Sequence, residues 1–282
     1  MNRPSGEPIP IFTVDAFAER PFAGNPAAVC LLGTRDWPDD RLLRSIAAEM
    51  NLSETAFCRQ GDPGRHELRW FTPADTPDAE VELCGHATLA TAHVLWETDA
   101  TDAREPLTFA TRRAGDLTCR RDGDGDYRMR FPRQRCTRQP PPPGLIADLG
   151  LDAADVAATA FGPYDWIVEL RDAAAVRSLT PDFAALARHD ARGVAVTAPA
   201  EADRDADFVS RFFAPRLRIA EDPVTGSLHC VLGPYWSDRL GRTRLLAEQA
   251  SRRGGRLGVD VAPDHVELTG QAHTVLRGTL QV

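Results

Sequence analysis

The sequence predicts an α+β fold of two similar lobes, and three observations carry that prediction. Four consecutive prolines within residues 139–144 (QPPPPG) enforce an extended segment near the midpoint of the 282-residue chain, which neither a helix nor a sheet interior accepts. On each side the same order recurs: strand patterns, one helix, then a strand-rich tail. CGHATLATAHVL and DPVTGSLHCVL echo one another loosely, which fits duplication and fits equally the chance recurrence of a strand-turn-helix unit. Residues 1–138 are therefore expected to form an N-terminal lobe and 139–282 a C-terminal lobe, with the final strands free to pack back on the first.

In the first lobe IFTVDAF alternates as a strand. Asp39 and Asp40 can cap an amphipathic helix whose apolar face is Leu42, Leu43, Ile46, Ala47 and Met50. HELRWF reads as another alternating strand, and a helix follows over residues 86–96. Residues 107–131 form three alternating stretches parted by Ala-Gly-Asp and Asp-Gly turns, a meander. The second lobe opens with an Ala-rich stretch, 145–160, expected to be helical. The strand WIVEL follows, then a short helix starting at Thr180 or Pro181. DFVSRFFAP is expected as a strand, 226–236 as a helix, and the chain should close with a hairpin around 269–272.

Composition narrows the chemistry. All 33 basic side chains are arginine, set against 41 acidic ones, for a formal charge of -8. Without lysine there is no Schiff base and no Walker lysine, so proton work falls to Asp, Glu, His, Cys or Tyr. Net negative charge argues against nucleic acid or an anionic membrane as partner and favours small molecules. MNRPSGEPIPIF lacks the apolar core of a signal peptide and no apolar run reaches about 20 residues, so a cytoplasmic protein is expected. Six scattered cysteines without a CxxC pair read as reduced thiols rather than disulfides or a zinc site.

Three segments place an ionisable group in a turn at the edge of a regular element. In NLSETAF, Glu54 sits among Leu52, Ala56 and Phe57, an environment expected to desolvate its carboxyl and raise it from about 4.3 toward neutrality; Ser53 and Glu54 could equally serve only as backbone acceptors at a helix exit. In ELCGHAT, Gly85 lets the backbone approach a ligand at a helix start, with His86 on the first turn and Cys84 beside it, or else Gly85 is simply a tight turn. In EDPVTGS, Asp222 precedes a proline, and Gly226 and Ser227 offer amides to an anion; an Asp-capped turn without ligand explains the same letters.

Other features carry less. Residues 122–126 (DGDGD) imitate the opening of a calcium loop, but Arg133 stands where a bidentate Glu is required. The arginines of 112–138 alternate along strands and are expected on a solvated face. His93 and His229 lie inside helices and read as packing residues. No GxGxxG, HExxH or GxSxG occurs.

Taken together, VDAF and PFAGNPAAV (14–29), NLSETAF (51–57), LRWFTP (68–73), LCGHATLA (83–90), RFFAP (211–215), EDPVTGS (221–227), GPYW (233–236) and QASRRGG (249–255) resemble the phenazine-biosynthesis PhzF-like isomerases, which share the diaminopimelate epimerase fold. The resemblance implies two lobes, each a curled, mostly antiparallel sheet around a central helix, with the active site between them, and a homodimer. It implies Glu54 as proton shuttle with His86 and Asp222 as partners. Ser53, Cys84, Gly85, Gly226 and Ser227 match positions around the substrate and its carboxylate. Such a reaction needs no metal or organic cofactor. It tautomerises a dihydro-hydroxyanthranilate-like or alkyl-proline-precursor-like substrate of specialised metabolism, as in antibiotic biosynthesis.

In that scheme Asp222 would raise Glu54 by like-charge repulsion and His86 would donate as charge develops. Related epimerases use a thiol in each lobe. Cys84 falls near the first such position but Asp222 occupies the second, so a Cys84/Asp222 epimerase is the alternative, and a catalytically silent ligand-binding member a third. The longer ADTPDAE loop and Leu228 depart from the family pattern and would reshape the pocket.

Overall fold

In the computed structural model, residues 8–62, 65–74, 76–102, 104–122 and 125–282 are described. The N-terminal residues 1–7, part of the calcium-like DGDGD and one residue of the ADTPDAE loop lie outside them. The chain divides into two compact units, Met1–Arg130 with Thr269–Val282, and Phe131–Leu268. The polyproline stretch that marks the expected boundary at 138/139 thus falls inside the second unit.

The first unit holds β1 (Ile9–Ala16), β2 (Asn25–Gly33), α1 (Asp40–Met50), β3 (Glu54–Gln60), β4 (Arg65–Phe71), β5 (Glu80–Val81), α2 (Gly85–Glu97), β6 (Leu107–Thr111), β7 (Asp116–Arg121) and the start of β8 (Tyr127–Pro132). β1 pairs antiparallel with β2, β2 parallel with β3, β3 antiparallel with β4, and β4 both antiparallel with β5 and parallel with β6; β6, β7 and β8 continue antiparallel as the expected meander.

Helix α2 is buried from Gly85 through Trp96, on every face, and packs on β1, β2 and β3. A helix apolar all round is a core helix, so the sheet wraps it. On the other face α1 buries Leu43, Ile46 and Ala47 against Cys30, Leu32 and Phe57. Asp39 caps α1 by accepting from the Arg41 amide. Because helices cover both faces, Leu68 to Phe71 of β4 are all buried, where HELRWF had read as alternating. In β7 the alternation holds from Asp116 to Arg120, with Leu117 and Cys119 inward and Thr118 and Arg120 outward.

The second unit holds β9 (Thr137–Arg138), α3 (Leu145–Asp148), β10 (Val156–Phe161), β11 (Asp165–Leu170), α4 (Ala173–Ser178), α5 (Phe183–Leu186), β12 (Gly193–Pro199), β13 (Phe208–Ala214), β14 (Ile219–Asp222), α6 (Gly226–Leu240), β15 (Arg244–Gln249), β16 (Gly255–Val261) and most of β17 (His265–Gly270). β18 (Ala272–Leu280) returns to the first unit and pairs antiparallel along the whole of β1. β10 pairs antiparallel with β11, β11 parallel with β12, β12 antiparallel with β13, and β13 both antiparallel with β14 and parallel with β15. This repeats, pairing for pairing, the order of β1 to β6. The echo between the two helix starts therefore marks equivalent places in one repeated topology, a mixed and mostly antiparallel sheet with one central helix.

Three expectations are corrected in the second unit. The Ala-rich stretch 145–160 is not one helix: Gly150 at φ +74° ends the helical turns, and Val156 to Phe161, with β-branched and aromatic side chains, form β10. The short helix after the TPD triplet is capped by Asp182, which accepts from the Ala185 amide, rather than by Thr180 or Pro181. The helix expected to stop at 236 runs to Leu240, with Pro234 inside it. That proline leaves the Cys230 carbonyl without its helical donor, and the Gln134 amide donates to it at 3.2 Å instead.

No helix among the described residues is long and apolar enough to cross a membrane.

Candidate active site

Glu54 is the first residue of β3, directly after the turn that ends α1 at Asn51, and Cys84 is the N-cap of α2 with Gly85 and His86 the first helical residues. Strand pairing and the buried helix bring these segments together. The His86 Nε2 lies 3.2 Å from Glu54 Oε2, with the imidazole 5% and the carboxyl 14% exposed. The two atoms are poorly aligned for a hydrogen bond as they stand, and neither makes one elsewhere among the described residues.

On its other ring nitrogen, His86 Nδ1 is 3.2 Å from the Asn25 amide nitrogen and 3.6 Å from Cys84 Sγ. Ser53 Oγ donates to Asn25 Oδ1 at 3.3 Å. Asn25, missed as a functional residue by sequence reasoning, is fully buried at the first position of β2. The preceding Gly24 is what delivers it: at φ +63° a Cβ would lie 2.3 Å from the Ala16 carbonyl oxygen, so only glycine fits. Its motif, PFAGNPAAV, carries the signal.

With the Asn25 amide donating to Nδ1, the proton of a neutral imidazole sits on Nε2, facing Glu54. An imidazolium needs the Asn25 amide turned by half a revolution, its oxygen accepting from Nδ1–H and its nitrogen donating to Ser53. The same three side chains thus serve both states. Burial works against the charged ring, but Cys84 and Glu54 favour it, and the net result places His86 well above the ordinary imidazole value. Burial, reinforced by Glu54 and opposed by His86, pushes the Cys84 thiol up.

Glu54, Cys84 and His86 also present one ligand atom each within 4.8 Å of one another, a donor set suited to zinc. Their contacts fall on opposite nitrogens of one ring, however, Cys84 at Nδ1 and Glu54 at Nε2. A proton relay uses both nitrogens as they lie.

In the second unit Asp222 ends β14, 8% exposed, and Gly226 and Ser227 begin α6. The N-cap Thr225 makes no side-chain cap; its hydroxyl donates to the Asp222 carboxylate instead. Gln249 fastens this turn, accepting from the Thr225 amide at 2.9 Å and donating to the Asp222 carbonyl at 2.7 Å. Gln249 opens the QASRRGG motif, so its letters were visible though its role was not. His229 Nδ1 donates to the Thr225 carbonyl at 2.8 Å, and His93 is held by Tyr127 and Thr274; both are the packing residues expected. Leu228, where a smaller residue was the family expectation, is fully buried.

A family model described as phenazine biosynthesis-like protein (PhzC-PhzF) matches residues 14–278. The chain belongs to this family. Among family members, an uncharacterised isomerase of Pseudomonas aeruginosa is 49% identical over 272 residues, covering 96% of this chain and 98% of its own. A solved PhzF-family protein of Enterococcus faecalis superposes with a TM-score of 0.88 at 41% identity, covering 98% of this chain and 100% of the other. A hydroxyproline epimerase of Agrobacterium vitis, at TM-score 0.62 and 10% identity over 100% of this chain and 94% of its own, shares the fold. The chain is thus an isomerase-type member of the PhzF-like family with the epimerase-like fold of two lobes.

Proposed function

We propose that this protein is a cofactor-independent isomerase that moves a proton, and with it a double bond, within a small unsaturated carboxylate bearing an amino or hydroxy group. The observation that carries the reading is the buried pair of Glu54 Oε2 and His86 Nε2, 3.2 Å apart, two atoms that have no hydrogen-bond partner among the described residues. The Glu54 carboxylate takes a proton from one substrate carbon, the electron pair delocalises through the conjugated system, and the resulting acid returns the proton to a second carbon. His86 donates from Nε2 to the heteroatom on which charge develops, and Asn25 and Ser53 hold the ring for that purpose. Asp222 enters as a second acid-base partner, with Gly226 and Ser227 holding the carboxylate. The proposed substrates are dihydro-hydroxyanthranilate-like or alkyl-proline-precursor-like compounds of specialised metabolism, turned over by a cytoplasmic homodimer.

Turnover of such compounds in deuterated water tests this. Deuterium should appear on a product carbon with the wild-type protein and vanish in both Glu54→Gln and Asp222→Asn. Unchanged turnover and labelling in Glu54→Gln would defeat the reading, whereas unlabelled product formed only when Glu54 is present would mean that the carboxyl returns the proton before it exchanges with solvent.

The contact between Cys84 and His86 favours one second reading, an amino-acid epimerase with Cys84 opposite Asp222. The upward push on the thiol weighs against it. Stereochemical inversion that is lost in Cys84→Ala and kept in Glu54→Gln would establish it.

A further inference from the structure

The repeated topology assigns a role to a residue that no motif marks. In the first unit β2 and β3 run parallel with Ala27 opposite Glu54; in the second β11 and β12 run parallel with Asp165 opposite Gly193. The chain entering the later strand therefore reads Ser53-Glu54 in one unit and Arg192-Gly193 in the other. The second residue of the central helix is His86 in one and Ser227 in the other. Where the first unit sets a carboxylate against an imidazole, the second sets a guanidinium against a hydroxyl: Arg192 Nη1 donates to Ser227 Oγ at 3.0 Å.

Arg192 is held on several sides. Its Nε donates to Asp165 Oδ1 at 2.9 Å and its Nη2 to Asp165 Oδ2, a fork on a carboxylate only 3% exposed. The guanidinium stacks on Tyr164 and Phe212, 5.4 and 5.5 Å from the ring centroids, and the Arg192 amide donates to the Tyr164 carbonyl at 2.8 Å. Gly193 makes room for this stack, since a Cβ there would lie 2.4 Å from Phe212 Cζ. Asp222, paired with Phe212 across β13 and β14, adds its field to that of Asp165 on the guanidinium.

A guanidinium has donors and no acceptor. Ser227 Oγ must therefore accept from Arg192, and its own proton is left to point elsewhere. We propose that Arg192 is a positioning residue which makes the Ser227 hydroxyl a committed donor to the substrate's carboxylate. The inference rests on the isomerase reading above and adds to it a specificity: a cyclic or unsaturated carboxylate is preferred over its neutral amide, through Arg192 acting on Ser227.

The test is calorimetric binding of two matched probe pairs, anthranilate with anthranilamide and proline with prolinamide, to the full chain and to Arg192→Lys, Ser227→Ala and the double variant. A hydrogen bond to a charged group predicts a carboxylate preference of roughly tenfold or more in the wild-type protein for at least one pair. Arg192→Lys should lose most of it, because an ammonium cannot fork Asp165 and reach Ser227 together. Ser227→Ala should lose as much, and the double variant no more than either single, since both act through one bond. Arg192→Met with Asp165→Leu, which removes both buried charges, repeats the comparison should the lysine variant fold poorly.

No carboxylate preference in the wild-type protein, a preference unchanged by the Arg192 variants, or additive losses would overturn the proposal. Failure of the isomerase reading looks different: solvent exchange would survive Glu54→Gln while the carboxylate preference and its dependence on Arg192 remain.

Discussion

Glu54 Oε2 and His86 Nε2 stand 3.2 Å apart although 32 residues separate them in the chain, one opening a strand and the other a helix. Neither of these two atoms has a hydrogen-bond partner among the described residues. Glu54→Gln keeps the shape and removes the transferable proton, so deuterium incorporation should fall by about 10²- to 10⁴-fold, the usual worth of a positioned acid-base group. Thermal denaturation should show the fold intact, and exchange within threefold of wild type would exclude Glu54 as the shuttle.

His86 also predicts a pH dependence of stability. Its folded value lies above the ordinary 6.5, so the folded state binds its proton more tightly than the unfolded chain does. The stabilisation is complete below about 6.5 and fades as pH rises through the raised folded value. The difference in melting temperature between wild type and His86→Gln should therefore narrow on going from pH 6 to pH 9. A difference that widens would mean the ring is held neutral.

His229 should behave in the opposite sense. Burial, only partly offset by its bond to the Thr225 carbonyl, lowers it to about 4. The unfolded chain takes up this proton first as pH falls, so stability is complete above about 6.5 and is lost down to about 4, by about 3 kcal/mol in all. Urea titrations across pH 7 to 4 should show that loss in the wild-type protein and a shallower one in His229→Gln.

Gln249 is fully buried and bonds the backbone on both sides of the turn that carries Asp222. Gln249→Leu leaves the Thr225 amide and the Asp222 carbonyl without those partners and should cost about 2–4 kcal/mol in urea denaturation. Gln249→Glu keeps the acceptor for the Thr225 amide but loses the donor and buries a second carboxylate beside Asp222, so it should cost at least as much. A cost well below that of Gln249→Leu would show that the donor bond to the Asp222 carbonyl is dispensable.

Much of the candidate site could be read from the chain because its parts lie at breaks in pattern. A glycine before an apolar run marked the start of α2 at Cys84-Gly85-His86, and the same break marked α6 at Thr225-Gly226-Ser227. Glu54 was visible because a carboxylate is out of place among Leu52, Ala56 and Phe57. Residues 145–160 misled because alanine favours a helix wherever packing does not intervene, and here strand pairing with β11 prevailed over Val156 to Phe161.

By itself the sequence determined many of the strands, the two helix starts and the residue types available for proton transfer, since these depend on local periodicity and on chemistry each residue carries alone. The tertiary structure decided the partnerships. Asn25 reaches His86 across 61 positions and Arg192 reaches Asp165 and Ser227 across 27 and 35. Those distances close only when parallel strands align and a buried helix packs on them, and no local pattern encodes which side chains then face one another.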